Sequence, residues 1–196
     1  MDAGGVFIDT RTSVTAEAIG VSIEELKVIR HKSKDIGLWD DWILGHINGE
    51  LFEELLCRTL KPEQREIARK WLTAGCYGGG LPVHNEILQD MHRLHNDGYA
   101  VFILSNIVDR TLSYLVDQEI VTSFDGGIYS CKVGAMKPDP YIYYLLLSQY
   151  QLDPKATVFF DDKYDNCVAA ERLGIESHHW MGRQTLLKVF PYLSLL

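Results

Sequence analysis

The sequence lacks three features that would each assign the protein to a particular class. It has four cysteines, Cys57, Cys76, Cys131 and Cys167, but no CxxC pair, so neither a zinc site nor a redox motif is indicated. No apolar run approaches the ~20 residues that span a bilayer, and the first residues have neither the basic nor the apolar region of a signal peptide. We therefore expect reduced thiols, a cytoplasmic location and no membrane partner.

Basic residues are also scarce. The 196 residues include 19 lysines and arginines against 27 aspartates and glutamates, which gives a net charge of −8. Binding to the nucleic-acid backbone depends on basic residues, so no nucleic-acid partner is expected. An acidic surface still permits phosphorylated substrates, because a metal ion can reverse the charge of a site. The sequence indicates no particular oligomeric state.

The first part of the chain shows helical patterns only, over residues 13–75. Ser22 and Glu25 form a capping-box pattern, and Pro62 suits a first helical turn. Gly75 suits the residue that follows a helix end. Gly78, Gly79 and Gly80 lack the spacing of a phosphate-binding loop and predict a hinge.

Helices and short apolar runs alternate in the rest of the chain, which is typical of an α/β fold with a parallel sheet. The runs at 99–104 and 157–160 predict strands buried on both faces. Weaker strands are predicted at 127–130 and 175–180. Predicted helices begin at Pro82 and at Pro140.

Polar residues follow both buried runs, where ligands sit in open α/β sheets. Ser105 and Asn106 follow the first run, Asp161 and Asp162 follow the second, and Lys137 lies between. Together they are suited to a phosphoryl group and a divalent metal, because oxygen ligands favour magnesium and lysine offsets phosphate charge. Taken singly, Ser105 or the aspartates suit helix or turn capping, and Lys137 suits a solvated surface position.

The order of these segments resembles a known family. ILSN, KPDPYIY and FFDDKYDNCVAAERLGI resemble motifs two, three and four of the haloacid dehalogenase-like (HAD) hydrolase superfamily, and DAGGV at residues 2–6 is similar to its first motif. The resemblance implies a Rossmann-like parallel sheet core with helices on both faces, formed by residues 1–12 and 76–196. An all-helical cap, residues 13–75, would be inserted in it.

The resemblance also implies roles for the phosphoryl-binding residues. Asp2 would attack phosphorus and form an aspartyl-phosphate that water then hydrolyses. Ser105 and the backbone N–H of Asn106 would hold phosphoryl oxygens. Lys137 would neutralise charge on the nucleophile and on the transferring group.

A magnesium ion is implied by the same resemblance. Asp162 would be its direct ligand, and Asp161 a second ligand or a residue that holds one of its waters. Asp2 and the backbone carbonyl of Gly4 would complete the set. A cap over such a site suits a small phosphorylated metabolite, for which a sugar phosphate is an example by family analogy.

The sequence departs from the family pattern at two places. Many phosphatases of this family carry an aspartate as general acid and base where this sequence has Gly4, and Asp9 is too far along the chain to replace it. The first core strand is also truncated, because only Met1 precedes Asp2 whereas strands usually have about five residues. Its neighbours would keep unpaired backbone groups, each costing ~1–3 kcal/mol. We therefore expect a misplaced start or a shortened product.

Several functions remain open. The leading hypothesis is a magnesium-dependent phosphatase, and the main alternative is a catalytically inactive, truncated relative that binds, regulates or has no function. A 2-haloacid dehalogenase would use the same nucleophile without a metal, so Asp161 and Asp162 favour phosphoryl chemistry. A response-regulator receiver domain would place its acidic pair early in the chain, which this sequence does not.

Two other pairs are interpreted as structural. His178 and His179 point to opposite faces if they lie on a strand, so they do not suit one metal ion. Trp39 and Trp42 suit packing within the cap, with lining of the active-site mouth as the alternative.

Overall fold

The structure is a computed structural model that describes residues 1–76 and 82–195. From residue 12 to residue 75 its secondary structure is helical, as the sequence predicts, and this part ends in a π-helical turn, Trp71–Gly75. The predicted hinge at Gly78, Gly79 and Gly80 lies outside the described residues. The helices of this segment are α1 (Thr12–Ile19), α2 (Ile23–Asp35), α3 (Leu38–Ile43), α4 (Gly49–Thr59) and α5 (Pro62–Lys70).

Helices and short strands alternate in the second part. They are α6 (Asn85–Asn96), β1 (Phe102–Ser105), α7 (Asp109–Asp117), β2 (Gly126–Tyr129), α8 (Ser130–Val133), α9 (Pro140–Gln149), β3 (Val158–Asp161), α10 (Tyr164–Glu171), β4 (Glu176–His179) and α11 (Arg183–Val189), with short 3-10 turns at Val121–Ser123, Pro154–Ala156 and Pro191–Leu195. No helix among residues 1–76 and 82–195 combines the length and the apolar character needed to cross a membrane.

The helical segment, residues 12–75, has its own aromatic core. The predicted capping box begins α2, where Glu25 N–H donates to the Ser22 hydroxyl at 3.2 Å and Ser22 N–H donates to the Glu25 carboxylate at 2.9 Å. Trp42 stacks on Phe52 with ring centroids 4.2 Å apart, and both side chains are fully buried. Burial of these large rings contributes to the stability of the segment.

Two element ends differ from the sequence prediction. Gly75 does not follow a helix end but lies inside the π-helical turn, where a Cβ would come within 2.9 Å of Thr15 Cγ2 on α1. The glycine is therefore needed for close packing rather than for a helix stop. The helix predicted to begin at Pro82 begins at Asn85 instead.

The sheet is built from two parallel pairs of strands. β1 pairs with β2, Phe102 opposite Gly126, and β3 pairs with β4, Val158 opposite Glu176. β1 starts three residues later than the apolar run, since Tyr99 is 48% exposed and packs against the Phe190 ring at 5.2 Å.

Met1 and Asp2 lie between these pairs. The Met1 ammonium donates to the Phe102 carbonyl at 2.8 Å, and Leu104 N–H donates to the Met1 carbonyl at 3.0 Å. Asp2 N–H donates to the Phe160 carbonyl at 2.9 Å. The expectation that the short first strand leaves its neighbours unpaired is therefore wrong for these three groups on β1 and β3.

Helices cover both faces of the sheet. Ile103 and Phe160 pack with one group of helices, and their strand neighbours Leu104 and Phe159 pack with the other, because successive strand residues point to opposite faces. The first group is α6, α7 and α11, and the second is α9 and α10. The structure has the predicted α/β architecture with a parallel, Rossmann-like core.

A carboxylate at the start of α7 joins the helical segment to this core. Asp109 accepts hydrogen bonds from Trp42 Nε1 at 2.6 Å and from Gly49 N–H at 2.9 Å. The same side chain accepts from Arg110 N–H at 2.7 Å. These bonds fix the helical segment over the carboxyl end of β1.

Candidate active site

A buried lysine stands at the centre of the strand ends. Lys137 Nζ lies 2.8 Å from Asp2 Oδ1 and 2.7 Å from Asp161 Oδ2, and it donates to the Leu104 carbonyl at 2.6 Å. Its side chain has no exposed surface. The alternative of a solvated surface lysine is therefore wrong, and the three charged groups form one cluster.

The Asn106 side chain fixes the loop that carries this lysine. Asn106 Nδ2 donates to the Lys137 carbonyl at 2.7 Å, and Lys137 N–H donates to Asn106 Oδ1 at 2.8 Å. Sequence reasoning assigned only the backbone N–H of Asn106 a role and missed this pair. The signal available was an amide side chain directly after a buried strand, where partners from other loops converge.

Asp161 is held on every side by protein groups. Its Oδ1 accepts hydrogen bonds from Lys163 N–H at 2.8 Å and from Asn166 Nδ2 at 2.9 Å, while Oδ2 faces Lys137. Asp161 therefore closes the turn before α10 but does not cap the helix, because its donor Lys163 precedes the first helical residue. Asn166 lies inside α10, and its side-chain amide anchors Asp161.

Asp162, unlike Asp161, has a carboxylate oxygen that no protein group binds within the described residues. Its Oδ1 is buried and has no hydrogen-bond partner within the described residues. Burial, followed by the charges of Asp2 and Asp161, raises the pKa of Asp162 above its ordinary value. One carboxylate oxygen from each of these three residues lies within 4.8 Å of the others. A hard divalent cation fits this donor set and would supply the missing partner.

The nucleophile candidate is also buried. Burial raises the pKa of Asp2, while Lys137 and a hydrogen bond from Ser105 act in the opposite direction. Ala3 N–H donates to Asp2 Oδ1 at 2.7 Å, which orients the carboxylate. Ser105 is 1% exposed, so its hydroxyl serves the cluster rather than a surface turn.

A cavity of about 220 Å³ opens onto this cluster. The core side of its lining includes Asp2, Gly4, Ser105, Asn106 and Asp162. The helical segment supplies Arg30, Lys34, Trp39, Ile43 and Trp71. Lys137 and Asp161 lie behind this lining.

The other residues singled out in the sequence lie outside the cluster. The Asp9 carboxylate accepts hydrogen bonds from Nε and Nη2 of Arg11, which keep the pKa of Asp9 below its usual range. His178 Nε2 lies 2.9 Å from Glu176, whereas His179 Nε2 lies 3.0 Å from the Asp162 carbonyl, so the two rings have different partners as expected.

The two tryptophans of α3 differ in exposure to the cavity. Trp39 lines the cavity and also stacks on Trp71 with ring centroids 5.9 Å apart. It therefore both packs within the helical segment and forms part of the cavity wall. Trp42 is fully buried, and its role is structural, since it packs on Phe52 and donates to Asp109.

Known proteins resemble the chain over most of its length. It is 26% identical to the sesquiterpene phosphatase astK of Aspergillus oryzae over 91% of this chain and 86% of that protein. It is 31% identical to the bifunctional epoxide hydrolase 2 of Rattus norvegicus over 76% of this chain, although it spans only 32% of that longer protein.

Solved structures share the fold. A HAD family enzyme of Bacteroides thetaiotaomicron superposes with a TM-score of 0.73 and 23% identity over 96% of this chain and 95% of that one. The same enzyme has been crystallised with magnesium and inorganic phosphate (TM-score 0.70, 22% identity, 90% of each chain). A dehalogenase with an intermediate complex also superposes, with a TM-score of 0.70 and 20% identity over 97% of this chain and 94% of that one.

The family model for haloacid dehalogenase-like hydrolases matches residues 1–174. The strand-end cluster of Asp2, Ser105, Lys137 and Asp161 lies within these residues. The chain therefore belongs to the haloacid dehalogenase-like hydrolases.

Proposed function

We propose that the protein is a magnesium-dependent phosphatase that hydrolyses a small phosphorylated metabolite through an aspartyl-phosphate. The observation that carries the proposal is the free, buried Oδ1 of Asp162 beside the Lys137 cluster. A carboxyl oxygen without a partner costs free energy unless it binds a ligand. The phosphatase name of one relative and the magnesium and phosphate in one structural neighbour support the same chemistry.

The residues divide the work as follows. Asp2 would attack phosphorus, so that a P–O bond forms to its carboxylate while the bond to the leaving oxygen breaks. Lys137 offsets the charge that builds up on the phosphoryl oxygens, and Ser105 with the Asn106 N–H donates hydrogen bonds to them. Water then attacks the phosphoenzyme, releasing phosphate and restoring Asp2.

Magnesium would be held by Asp2, Asp162 and the Gly4 carbonyl. When bound, it supplies Lewis-acid stabilisation of charge on the phosphoryl oxygens. Asp161 fits a supporting role, because both of its oxygens already accept hydrogen bonds from the protein. Its proposed function is to position Lys137.

The helical segment is proposed to act as a cap. It supplies one wall of the cavity and is joined to the core by the Asp109 bonds. A cap of this kind excludes water and large substrates. The four free cysteines support the cytoplasmic location that belongs to this proposal.

The test is hydrolysis of 4-nitrophenyl phosphate with magnesium and after its removal with EDTA. We expect activity that depends on magnesium and is lost in Asp2→Asn. Asp35→Asn, a surface change at the end of α2, serves as the matched control and should retain the wild-type rate. Equal activity of Asp2→Asn and wild type would contradict the proposed mechanism.

A dehalogenase is the second candidate, because dehalogenases are among the structural neighbours. It would release halide from a 2-haloacid without magnesium. Halide release that persists in EDTA, together with no phosphate release, would favour this function over the phosphatase.

A further inference from the structure

One arginine of the cavity wall has an unusual environment. Arg30 lies on α2, is partly buried, and donates through Nη1 to the Thr12 hydroxyl at 2.9 Å. Its guanidinium lies over the Trp71 ring, 5.9 Å from the ring centroid. The Trp71 ring in turn stacks on Trp39, so the guanidinium is held by a rigid aromatic wall.

Within the part of the chain that the structure describes, this guanidinium has no carboxylate partner. Among residues 1–76 and 82–195, no ion pair of Arg30 is found, whereas Arg110 pairs with Glu53 at 3.0 Å and Arg183 pairs with Asp90 at 2.6 Å. An arginine remains charged at neutral pH, and a partly desolvated charge without a counter-ion is unfavourable. The position therefore suits an anion that comes from outside the chain.

The charges around the cavity also favour an anionic ligand. On the core side, Lys137 is neutralised by Asp2 and Asp161. On the helical side, Arg30 and Lys34 line the cavity without a neighbouring acid in the lining contributed by that segment. A ligand that extends from the core side to the helical side would meet uncompensated positive charge.

We propose that the cavity accepts phosphomonoesters whose organic part carries a second anionic group, a carboxylate or a second phosphate, which Arg30 binds. This inference rests on the proposed function, because that function places the reacting phosphoryl group of the ligand beside Asp2 and leaves its other end toward Arg30. The planar fork of Arg30 can form two parallel hydrogen bonds with either anion. Lys34 is exposed and adds only long-range attraction.

Binding of unreactive ligands tests the inference without relying on turnover. The probes are 3-phosphonopropanoate, 1,3-propanediphosphonate and propylphosphonate, which share one phosphonate and a short carbon chain but differ in the second charge. Quenching of tryptophan fluorescence gives each dissociation constant, since Trp39 and Trp71 line the cavity. We expect wild type to bind one or both doubly anionic probes about tenfold or more tightly than propylphosphonate, as expected for a hydrogen bond between charged groups. The preferred probe identifies the second anion.

The substitutions separate a binding role from a structural one. Arg30→Gln should abolish the preference and leave the affinity for propylphosphonate unchanged, while Arg30→Lys should retain part of it. Arg58→Gln removes an exposed arginine that pairs with Glu54 away from this cavity, and should leave the preference unchanged. Equal loss of affinity for all probes in Arg30→Gln, or no preference in wild type, would overturn the inference.

Hydrolysis of the corresponding phosphate esters distinguishes the two proposals. If wild type shows the Arg30-dependent binding preference but hydrolyses none of the esters, the proposed phosphatase function fails and the anion site stands. If all esters are hydrolysed with equal kcat/KM and Arg30→Gln changes nothing, the phosphatase function stands and the anion site fails.

Discussion

Lys137 and Asp161 form an ion pair of 2.7 Å in which neither side chain is exposed to solvent. Such a pair is costly to desolvate, and an apolar pair of the same volume is often as stable. Here each partner is fixed by an amide, Asn106 for the lysine loop and Asn166 for the aspartate. The proposed mechanism, which requires an ammonium positioned at Asp2, would explain the arrangement where stability does not.

Removal of this lysine should destabilise the fold. Lys137→Met leaves Asp2 and Asp161 buried without their shared cation, so we expect a loss of about 3–5 kcal/mol in the free energy of unfolding. Urea denaturation followed by circular dichroism measures it. Lys155→Met, at an exposed position, is the matched control and should change stability by less than about 0.5 kcal/mol. A Lys137→Met loss no larger than that of the control would contradict the buried ion pair.

Asn106 should act as a positioning residue for Lys137. Asn106→Ala removes two hydrogen bonds to the Lys137 backbone, for which we expect a stability loss of about 1–3 kcal/mol. Because the backbone N–H of residue 106 remains, kcat should fall by about tenfold or more while KM changes little. Steady-state kinetics with Asn96→Ala, at an exposed helix end, as control would show this split. A rise in KM alone would indicate a substrate-binding role instead.

Gly5 should control the metal affinity through Asp162. A Cβ at Gly5 would overlap Asp162 Oδ2, so Gly5→Ala must displace that carboxylate. Gly20→Ala is a matched control, because Gly20 has a similar positive φ of 67°, against 77° for Gly5, but nothing within 4 Å of the added methyl. We expect weaker magnesium binding by isothermal titration calorimetry for Gly5→Ala alone. Equal losses in both variants would attribute the effect to backbone strain.

Hydrolysis should depend steeply on the leaving group. Among the described residues, the carboxyl groups that line the cavity are Asp2 and Asp162, and Asp9 is bound to Arg11, so no further carboxylic acid is available to protonate the leaving oxygen. We expect kcat/KM to fall by ~10²–10⁴-fold from 4-nitrophenyl phosphate to an alkyl phosphate, the range that general acid catalysis supplies.

A substitution at Gly4 tests whether an added carboxyl group can protonate the leaving oxygen. A Cβ there would lie 3.3 Å from Thr10 Cγ2, a tight but adjustable contact. Gly4→Asp should raise the rate with alkyl phosphates relative to aryl phosphates, and Gly4→Asn should not. A shallow leaving-group dependence in wild type would show that another group donates the proton.

Cys76 lines the cavity but should resist alkylation. Burial raises the pKa of the Cys76 thiol from 9.0 to about 12, so its thiolate population at pH 8 is about a thousandfold smaller than that of an unperturbed thiol. The thiolate is the reactive form, so labelling by iodoacetamide should accelerate with pH between 8 and 10. Mass spectrometry of native protein measures the rate, with the unfolded protein as control. Rapid labelling of Cys76 at pH 8 would contradict the buried thiol.

The sequence allowed prediction of the site where local signals were sufficient. Buried apolar runs locate the ends of β1 and β3, and parallel strands bring their carboxyl ends to one edge, so Ser105, Lys137 and Asp161 could be expected together. The capping box could be predicted for the same reason, because Ser22 and Glu25 are only three residues apart. These features depend on residues close together in the chain, where propensity and turn chemistry act directly.

Features that depend on docking could not be predicted. The Asn106–Lys137 pair joins residues 31 positions apart, and its geometry depends on how two loops meet. Arg30 belongs to a surface pattern on α2, and it reaches the cavity because the helical segment is docked on the core by bonds such as those of Asp109 and Arg110. Periodicity gives the face of a helix but not the element it faces.

The bridge formed by Met1 and Asp2 has a consequence for evolution of this chain. The residue proposed as nucleophile also donates a backbone hydrogen bond to Phe160, and its neighbour Met1 bonds Phe102 and Leu104. Substitutions at Met1 or Asp2 are therefore expected to change the stability of the sheet and the proposed reaction rate together. Under the proposed mechanism, stability and reactivity are coupled at these two positions.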